Sequence, residues 1–179
     1  LSENIIVSDI NIEVLNRLKS LYPQITTTAQ NREAAGQDEV FLALHPPAIA
    51  GAVEEIKGTL KADAVVISLA PKFTIAKLSA LLGFPNIVRM LPLATSYSNL
   101  GYNPCASAAP LSPTQKTAYN DLFRKLGPCP EVAEEKIEGY AMVVAMGPTY
   151  LWFQLQLLRE LGMTFGLDTV ELNHALPAM

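Results

Sequence analysis

The sequence has few cysteines, and their spacing excludes two common kinds of site. Its 179 residues include only Cys105 and Cys129, which form no C-x-x-C pair. This spacing predicts neither a zinc site nor a disulfide framework. We therefore expect no metal site, and we expect both side chains to be reduced, structural thiols.

The sequence also has no strong excess of positive or negative charge and no long apolar run. The net charge is −4 and no lysine-arginine cluster stands out, which argues against nucleic acid as a partner. No apolar run approaches the roughly 20 residues that cross a bilayer, and residues 1–4 lack the features of a signal peptide. We expect a cytoplasmic protein with no membrane partner.

The sequence does contain an alternation of short β-branched runs with helical patterns. Half of the residues are hydrophobic and 17% are charged, as in globular proteins. Apolar stripes over residues 12–21 and 47–60 predict crossover helices. This order is typical of an α/β fold with a mostly parallel sheet and helices on both faces. The strand candidates are residues 4–8, 24–27, 39–44, 64–69 and 86–91.

The pattern changes after this alternation. A turn-rich stretch over residues 92–104 leads to a brief strand candidate at 105–108 and a helix candidate at 112–126. A short strand candidate at 129–132 completes this part of the chain.

A long, largely apolar helical pattern then covers residues 134–161, interrupted only by Gly147 and Pro148. A helix that is apolar on most faces must be covered by other protein. Asp168 can cap a last helix that runs to about Leu176.

Two blocks of residues resemble a known family. Residues 65–78 (VVISLAPKFTIAKL), followed by residues 87–92 (IVRMLP), are similar to the middle of the pyrroline-5-carboxylate reductases. Residues 147–150 (GPTY) and the helix after them are similar to that family's S-G-P-A-Y motif and its first dimerisation helix. Together with the order of strands, the resemblance spans nearly the whole chain.

The resemblance implies a Rossmann-type dinucleotide-binding domain over residues 1–133 and the start of a helical dimerisation domain over residues 134–179. It also implies NAD(P)H as the cofactor, hydride transfer to a small cyclic imine in proline biosynthesis, and a homodimer. Two family elements have no counterpart here: the first strand with its G-x-G-x-x-G turn, which binds the pyrophosphate, and the later S-P-G-G-T-T substrate loop. We expect a piece of a longer protein in preference to a protein that has lost both.

The predicted cofactor residues lie where the strands end. Asp9 follows the first strand, where an acidic side chain binds the adenosine ribose and favours NAD over NADP. Equally, it could cap the helix that starts near Asn11. His45 replaces the lysine of the family's V-K-P loop and could bind a phosphate or ribose, although a lone loop histidine is more often solvated. The other residues expected at the cofactor are Leu44, Pro46, Leu69, Ala70 and Pro92. The prolines in the loops after residues 69 and 91 are equally explained as ordinary turn residues.

The expected substrate residues depart from the family. Leu93 replaces the asparagine of M-P-N-T-P, and residues 144–146 replace the small hydroxyl-bearing residues before Gly147 and Pro148. The predicted substrate site is Leu93, Met146, Gly147 and Pro148. No catalytic residue could be assigned, because tyrosines 97, 102 and 150 could equally fill a core.

Three functions stay open on the sequence alone. The favoured hypothesis is an NAD(P)-dependent reductase of a small cyclic imine or carbonyl compound. The alternatives are a deazaflavin-dependent NADP reductase and a non-catalytic protein that binds a nucleotide or only dimerises. The sequence leaves open the substrate, the choice between NAD and NADP, and the proton donor.

Overall fold

The computed structural model describes residues 4–108 and 111–178, and the chain forms two compact units. The first unit is Leu1–Ile137 and the second is Glu138–Met179. The roles of a dinucleotide-binding and a dimerisation domain stay predictions for the corresponding parts of the chain.

The strands of the first unit form two sheets. β1 (Ile6–Ser8) pairs in parallel with β2 (Thr26–Thr28). In the second sheet β3 (Glu39–Leu42), β4 (Val65–Ser68) and β5 (Ile87–Met90) are parallel, and β6 (Cys105–Ser107) is antiparallel to β5. The strand that the sequence predicted at 129–132 is only an isolated bridge between Cys105 and Glu131.

The division into two sheets follows the strand order of doubly wound folds, which is 3-2-1-4-5-6. If β1 and β2 are the second and third strands of that order, β3 is the fourth. In that order the first strand lies between the second and the fourth, which here are β1 and β3. The sequence pattern of that first strand is the one that has no counterpart in these residues. Among the described residues, the sheet divides at this place.

Helices connect the strands and are capped by their own side chains. α1 (Ile12–Leu21) begins after Asn11, whose Oδ1 accepts from the Glu13 and Val14 amides. α3 (Pro46–Ile56) begins one residue earlier and ends four residues earlier than predicted. α5 (Pro113–Phe123) has a Ser112–Gln115 capping box and continues as a 3-10 turn, Arg124–Leu126. The structure adds two helices that the sequence analysis did not predict, α2 (Asn31–Ala35) and α4 (Ile75–Leu82).

Two hydrophobic clusters cover the two faces of the second sheet. Because side chains alternate along a strand, Val66 of β4 faces one cluster with α3 and α4, while Val65 and Ile67 face the other with α5. All four residues of β4 and all four of β5 are buried. Burial on both faces is typical of parallel sheets, and it confirms the predicted α/β fold with helices on both faces.

Most of the second unit belongs to one long helical stretch, which starts in the last residues of the first unit. α6 (Ile137–Tyr140), a π-helical turn (Ala141–Ala145) and α7 (Gly147–Thr164) follow one another directly after the 3-10 turn Glu134–Lys136. Pro148 lacks an amide hydrogen and crowds the preceding turn. The Met146 amide donates to the Ala141 carbonyl, a π-type bond that lets the helix continue where the sequence predicted an interruption.

A short helix packs on the end of this stretch. α8 (Thr169–Ala175) starts at Asp168, which forms a capping box with Glu171, so the predicted cap is confirmed. Its Leu172 is buried, and a Cβ at Gly162 would lie only 2.5 Å from the Leu172 Cδ2 atom. Glycine at position 162 therefore allows α8 to approach α7. A last 3-10 turn covers Leu176–Ala178.

One stretch meets the length and composition of a membrane span, contrary to the expectation from the sequence. The helical residues Glu134–Thr164 reach a mean hydropathy of 1.2 over 18 residues, and none of that window is buried. The stretch contains no long uninterrupted apolar run, because polar residues are interspersed along it. Length and composition alone do not separate a membrane span from a helix covered by protein.

Candidate functional site

The candidate site is the edge where the parallel strands end. Asp9 follows β1, His45 follows β3, Ala70 follows β4 and Pro92 follows β5. Ligands of open parallel sheets bind outside these carboxyl ends. The structure thus places the predicted cofactor residues on loops that share one end of their strands.

Asp9 lies just before α1 but is not the residue that caps this helix. Its Oδ1 accepts from the Asn11 amide at 2.8 Å, and Asn11 itself caps α1. Asp9 is half-buried, and its amide donates to the Thr28 carbonyl at 3.3 Å on β2. Among the described residues Oδ2 accepts no hydrogen bond, so one oxygen is available to a ligand. The ribose-binding role of Asp9 stays a prediction.

A polar network beside Asp9 was missed by the sequence analysis. The Ser8 hydroxyl donates to Asn31 Oδ1 at 2.8 Å, and the Asn31 side chain donates to Glu55 Oε2 at 2.7 Å. The Arg32 Nε donates to the Glu55 carbonyl. The network joins the strand β1 to the helices α2 and α3. Partners 23 or 24 positions apart leave no spacing signal in a single sequence.

His45 stands at the N-cap position of α3 with an exposed side chain that makes no capping hydrogen bond. Pro46 and Pro47 come next and have no amide hydrogen. The usual backbone donors for a phosphate at a helix start are therefore absent at these two positions. The His45 imidazole could donate to an anion there, while Leu44 packs against the core beside α3.

The loop after β4 combines an apolar wall with an unusual backbone. Ala70 is buried and its amide donates to the Ser68 hydroxyl, while Leu69 is half-buried and its amide donates to the Leu42 carbonyl. Lys72 has a φ of 64°, a left-handed conformation that favours glycine. This conformation could not be predicted from residue types, because Pro71 followed by lysine is an ordinary turn composition.

The loop after β5 is ordered by an amide from elsewhere in the chain. Asn103 Oδ1 accepts from the Leu93 amide and from the Ser96 hydroxyl, both at 2.9 Å. Asn103 is fully buried, and its Nδ2 finds no hydrogen-bond partner among the described residues. With Leu93 in place of asparagine, this loop was expected to lack an ordering amide side chain. In the structure Asn103 supplies one to the same loop.

Where the same loop returns to the sheet, the backbones of Gly101 and Gly127 pass in close contact. The Gly101 amide donates to the Leu126 carbonyl at 2.9 Å. Gly127 has a φ of 119°, and a Cβ there would lie 2.2 Å from the Gly101 carbonyl oxygen. Only glycine fits at position 127.

A buried ion pair fixes the segment that leads into the long helical stretch. The Arg89 side chain of β5 is 4% exposed and its Nη1 lies 2.9 Å from Glu134 Oε1. The same oxygen accepts from the Ile75 amide at 2.7 Å, at the start of α4. A carboxylate at a helix N-terminus also interacts favourably with the helix dipole.

The remaining titratable cluster lies along β6. The Lys116 and Ser107 side chains donate to Glu131, and these hydrogen bonds lower the pKa of Glu131. Burial raises the pKa of the Cys105 thiol and of the Tyr119 hydroxyl, each to about 12. Both are therefore protonated at neutral pH, and Cys105 is a poor nucleophile. Cys105 and Cys129 are free thiols, as predicted.

Met146, Gly147 and Pro148 lie in the second unit, where the π-helical turn meets α7. Met146 and Pro148 are exposed. Their role in substrate binding stays a prediction, as does that of Leu93. Within residues 4–108 and 111–178, no three histidine, cysteine or acidic side chains are arranged to hold a metal ion.

Comparison with known proteins agrees with the resemblance seen in the sequence. Residues 2–72 match the family described as NADP oxidoreductase, coenzyme F420-dependent. A pyrroline-5-carboxylate reductase of Corynebacterium melassecola is 31% identical over 169 residues, which are 88% of this chain and 62% of the relative. Human pyrroline-5-carboxylate reductase 2 is 25% identical over 164 residues, 89% of this chain and 51% of the relative.

Solved structures extend the likeness to the fold. A pyrroline-5-carboxylate reductase from Coxiella burnetii has a TM-score of 0.87 and 27% identity, covering 99% of this chain and 67% of that protein. The Plasmodium falciparum pyrroline carboxylate reductase, solved with NADP bound, has a TM-score of 0.78 at 19% identity, covering 98% and 75%. The Rossmann-type fold and the predicted family resemblance are confirmed. The chain spans between 46% and 62% of the length of these curated relatives.

Proposed function

We propose, from this likeness to the pyrroline-5-carboxylate reductases, that the protein is an NAD(P)H-dependent reductase of a small cyclic imine or carbonyl compound. The observation that carries the proposal is the shared carboxyl edge of β3, β4 and β5, with Asp9 at the end of β1. The edge combines one acidic side chain with an apolar wall. A nicotinamide dinucleotide has matching parts: ribose hydroxyls at one end and a flat ring at the other.

The residues present fit this cofactor at both ends. Asp9 Oδ2 is a hydrogen-bond acceptor suited to the hydroxyls of the adenosine ribose. Leu69, Ala70 and Pro92 would form the wall beside the nicotinamide, and the Leu44–Pro46 loop would lie at a cofactor phosphate or ribose. When bound, the reduced nicotinamide supplies the hydride, and the protein supplies orientation and excludes water. A ribose 2′-phosphate would meet the Asp9 carboxylate, so we propose NADH as the preferred form.

For the substrate we propose a contact from Leu93 of the first unit and, separately, contacts from Met146, Gly147 and Pro148 of the second unit. The Leu93 amide is held by Asn103, so that the loop keeps a fixed shape without its own polar side chain. Proline formation by reduction of a cyclic imine is the step that the relatives' name suggests.

The deazaflavin-dependent alternative receives less support. The family model with that description stops at residue 72, within the part that would bind the nicotinamide cofactor. The curated relatives that extend through the second unit are named pyrroline-5-carboxylate reductases. A non-catalytic role would become the favoured hypothesis only if no nicotinamide nucleotide binds.

We also propose that the protein is a cytoplasmic homodimer that pairs through α7. This helix exposes more large apolar side chains than a monomer in water normally leaves uncovered. Those at least 48% exposed include Leu151, Trp152, Phe153, Leu157 and Leu161. Light scattering without detergent tests the proposal: a dimer mass supports it and a monomer contradicts it. A requirement for detergent would favour a membrane location instead.

Titration of the full-length protein with NADH and NADPH tests the cofactor proposal, with nicotinamide fluorescence as the signal. We expect tighter binding of NADH. Asp9→Asn keeps an oxygen for the Asn11 amide but removes the charge, so it should lower NADH affinity about tenfold and narrow the preference over NADPH. Glu13→Gln, a nearby exposed acid on α1, is the matched control. Equal effects of both variants would contradict the role of Asp9.

A further inference from the structure

Asn103 is the most deeply buried polar side chain among the described residues, with an exposure of 0%. Its Oδ1 atom accepts hydrogen bonds from the Leu93 amide and the Ser96 hydroxyl, both at 2.9 Å. Burial of an amide group is unfavourable unless the group is hydrogen-bonded. The two bonds offset part of this cost and hold residues 93–96 against the Asn103 side chain.

The backbone around Asn103 is itself fixed to other segments. Its amide donates to the Pro128 carbonyl at 2.8 Å, in the segment after α5. The Pro104 carbonyl accepts from the Leu91 amide at 3.0 Å, at the end of β5. These bonds do not involve the Asn103 side chain. Its Oδ1 atom is therefore a fixed acceptor, to which the loop after β5 is attached.

The packing beside Asn103 leaves little room for adjustment. Residues Ala94–Ser98 form a 3-10 turn, which ends at Asn99 in a left-handed conformation with a φ of 59°. A Cβ at Gly101 would overlap the Ser96 Oγ atom and would lie 2.5 Å from Asn103 Nδ2. Glycine at position 101 therefore leaves the space in which the hydrogen bond between Ser96 and Asn103 forms.

Position 93 cannot order this loop through its own side chain. The M-P-N-T-P motif of the family that the chain resembles has asparagine there, and this chain has leucine. Leu93 is half-buried, and its backbone amide is the group that Asn103 binds. The backbone position of the proposed substrate contact thus depends on a side chain ten residues further along the chain.

The loop that Asn103 holds lies on the nicotinamide side of the proposed cofactor site. It starts with Pro92 at the carboxyl end of β5, beside the loop that follows β4. Asp9, assigned to the adenosine ribose, follows β1 in the other sheet. Among the described residues, no hydrogen bond joins residues 93–96 or Asn103 to that sheet. A change at Asn103 should therefore affect the nicotinamide half of a bound cofactor and spare the adenosine half.

We propose that Asn103 is a positioning residue for the nicotinamide half of the site. It holds the loop after β5 through the Leu93 amide and the Ser96 hydroxyl, and this loop forms part of the wall beside the reacting groups. Because Asn103 is fully buried, it acts through the loop and without touching the ligand. The inference rests on the proposed function and adds to it the residue that sets the geometry of hydride transfer.

The test uses the full-length protein and variants that break the contact to two degrees. Asn103→Ala removes the acceptor from both donors, and Ser96→Ala removes one of the two bonds. Ser98→Ala is the matched control, because Ser98 is exposed in the same 3-10 turn and its side chain makes no hydrogen bond among the described residues. Leu82→Ala controls for lost stability, since this buried side chain lies at the far end of α4 from the loop after β4.

Three quantities are measured at a temperature at which circular dichroism shows every variant to be folded. Binding of ADP-ribose, which lacks the nicotinamide, reports on the adenosine half. The fluorescence emission of bound NADH reports on the surroundings of the nicotinamide. The single-turnover rate of NADH oxidation by 1-pyrroline-5-carboxylate reports on the orientation of the reacting groups.

We expect ADP-ribose to bind all the proteins equally. Asn103→Ala should decrease the emission of bound NADH and slow its oxidation about tenfold, because a displaced wall impairs the alignment of the reacting groups. Ser96→Ala should slow the oxidation by a smaller factor, about threefold. Ser98→Ala and Leu82→Ala should keep the wild-type emission and rate.

Each other outcome identifies which idea fails. Wild-type emission and oxidation in Asn103→Ala overturn the positioning role and leave the proposed function intact. An equal loss in Leu82→Ala also overturns it, because the effect would then follow from lower stability. A wild-type protein that binds NADH without oxidising it contradicts the proposed reaction, and the emission of bound NADH then tests the positioning role by itself. Absence of NADH binding to the wild type removes both.

Discussion

Replacing Glu134 with glutamine should destabilise the first unit. The Glu134 carboxylate joins the Arg89 guanidinium of β5 to the Ile75 amide at the start of α4, with distances of 2.9 and 2.7 Å. The Arg89 side chain is 4% exposed and that of Glu134 is 29% exposed. The mutation removes the negative charge beside a buried cation while it preserves an oxygen acceptor.

The magnitude follows from these exposures. Loss of one partner from a fully buried ion pair costs about 3–5 kcal/mol. Glu134 is partly exposed and glutamine can still accept a hydrogen bond, so we expect about 2 kcal/mol for Glu134→Gln. Glu134→Ala removes the acceptor as well and should cost about 3 kcal/mol.

Urea denaturation followed by circular dichroism measures this change in unfolding free energy. The single tryptophan, Trp152, lies in the second unit, so its fluorescence follows that unit separately. Glu135→Gln is the matched control, because Glu135 is exposed in the same turn; it should stay within about 0.5 kcal/mol of the wild type. Indistinguishable stabilities of Glu134→Gln and Glu135→Gln would refute the reasoning.

Three further predictions concern buried and paired groups. Asn103→Ala should cost about 1–3 kcal/mol and increase hydrogen exchange in the loop after β5, whereas unchanged exchange would contradict its ordering role. Cys105, with a pKa of about 12, should resist a thiol reagent at neutral pH in a Cys129→Ser background until the protein unfolds; rapid reaction of the folded protein would disagree. The pKa of Glu131 is lowered by Lys116, so its stabilising effect is present above the unfolded carboxyl's pKa and is lost as the pH falls through the folded value. Lys116→Met should therefore weaken the acid dependence of stability, and an unaltered dependence would count against the pair.

Local patterns predicted the elements whose causes are local. The apolar stripe of α1 gave Ile12–Leu21, the bounds seen in the structure, and Asp168 was identified as a cap from its position before a helical pattern. The buried strands β4 and β5 were found because a strand covered on both faces consists of apolar residues. The alternation of strand and helix patterns supplied the order of elements, and the family resemblance supplied the cofactor edge.

Features with non-local causes were not predicted from the sequence. Asn103 orders the Leu93 amide from ten positions away in a turn-rich stretch, where its composition resembles any loop. The Ser8–Asn31–Glu55 network joins elements that no spacing relates. α2 has only five residues, too short to show a helical period.

Backbone conformation also could not be predicted from residue types. The φ of Lys72 depends on the turn that connects β4 to α4, and a lysine in a loop gives no sign of positive φ. At Pro148, the expected helix break is replaced by a π-helical turn because the chain can shift one hydrogen bond to Ala141. In both places the local preference of a residue is overridden by its surroundings.

The most direct test of the proposed function is transfer of deuterium from NADH labelled at C4 of the nicotinamide. The full-length protein is incubated with the labelled cofactor and 1-pyrroline-5-carboxylate, and the product is analysed by mass spectrometry. We predict proline that carries one deuterium at the former imine carbon, formed faster with NADH than with NADPH. Absence of labelled product, with cofactor binding and the fold shown to be intact, would contradict the assignment as an imine reductase.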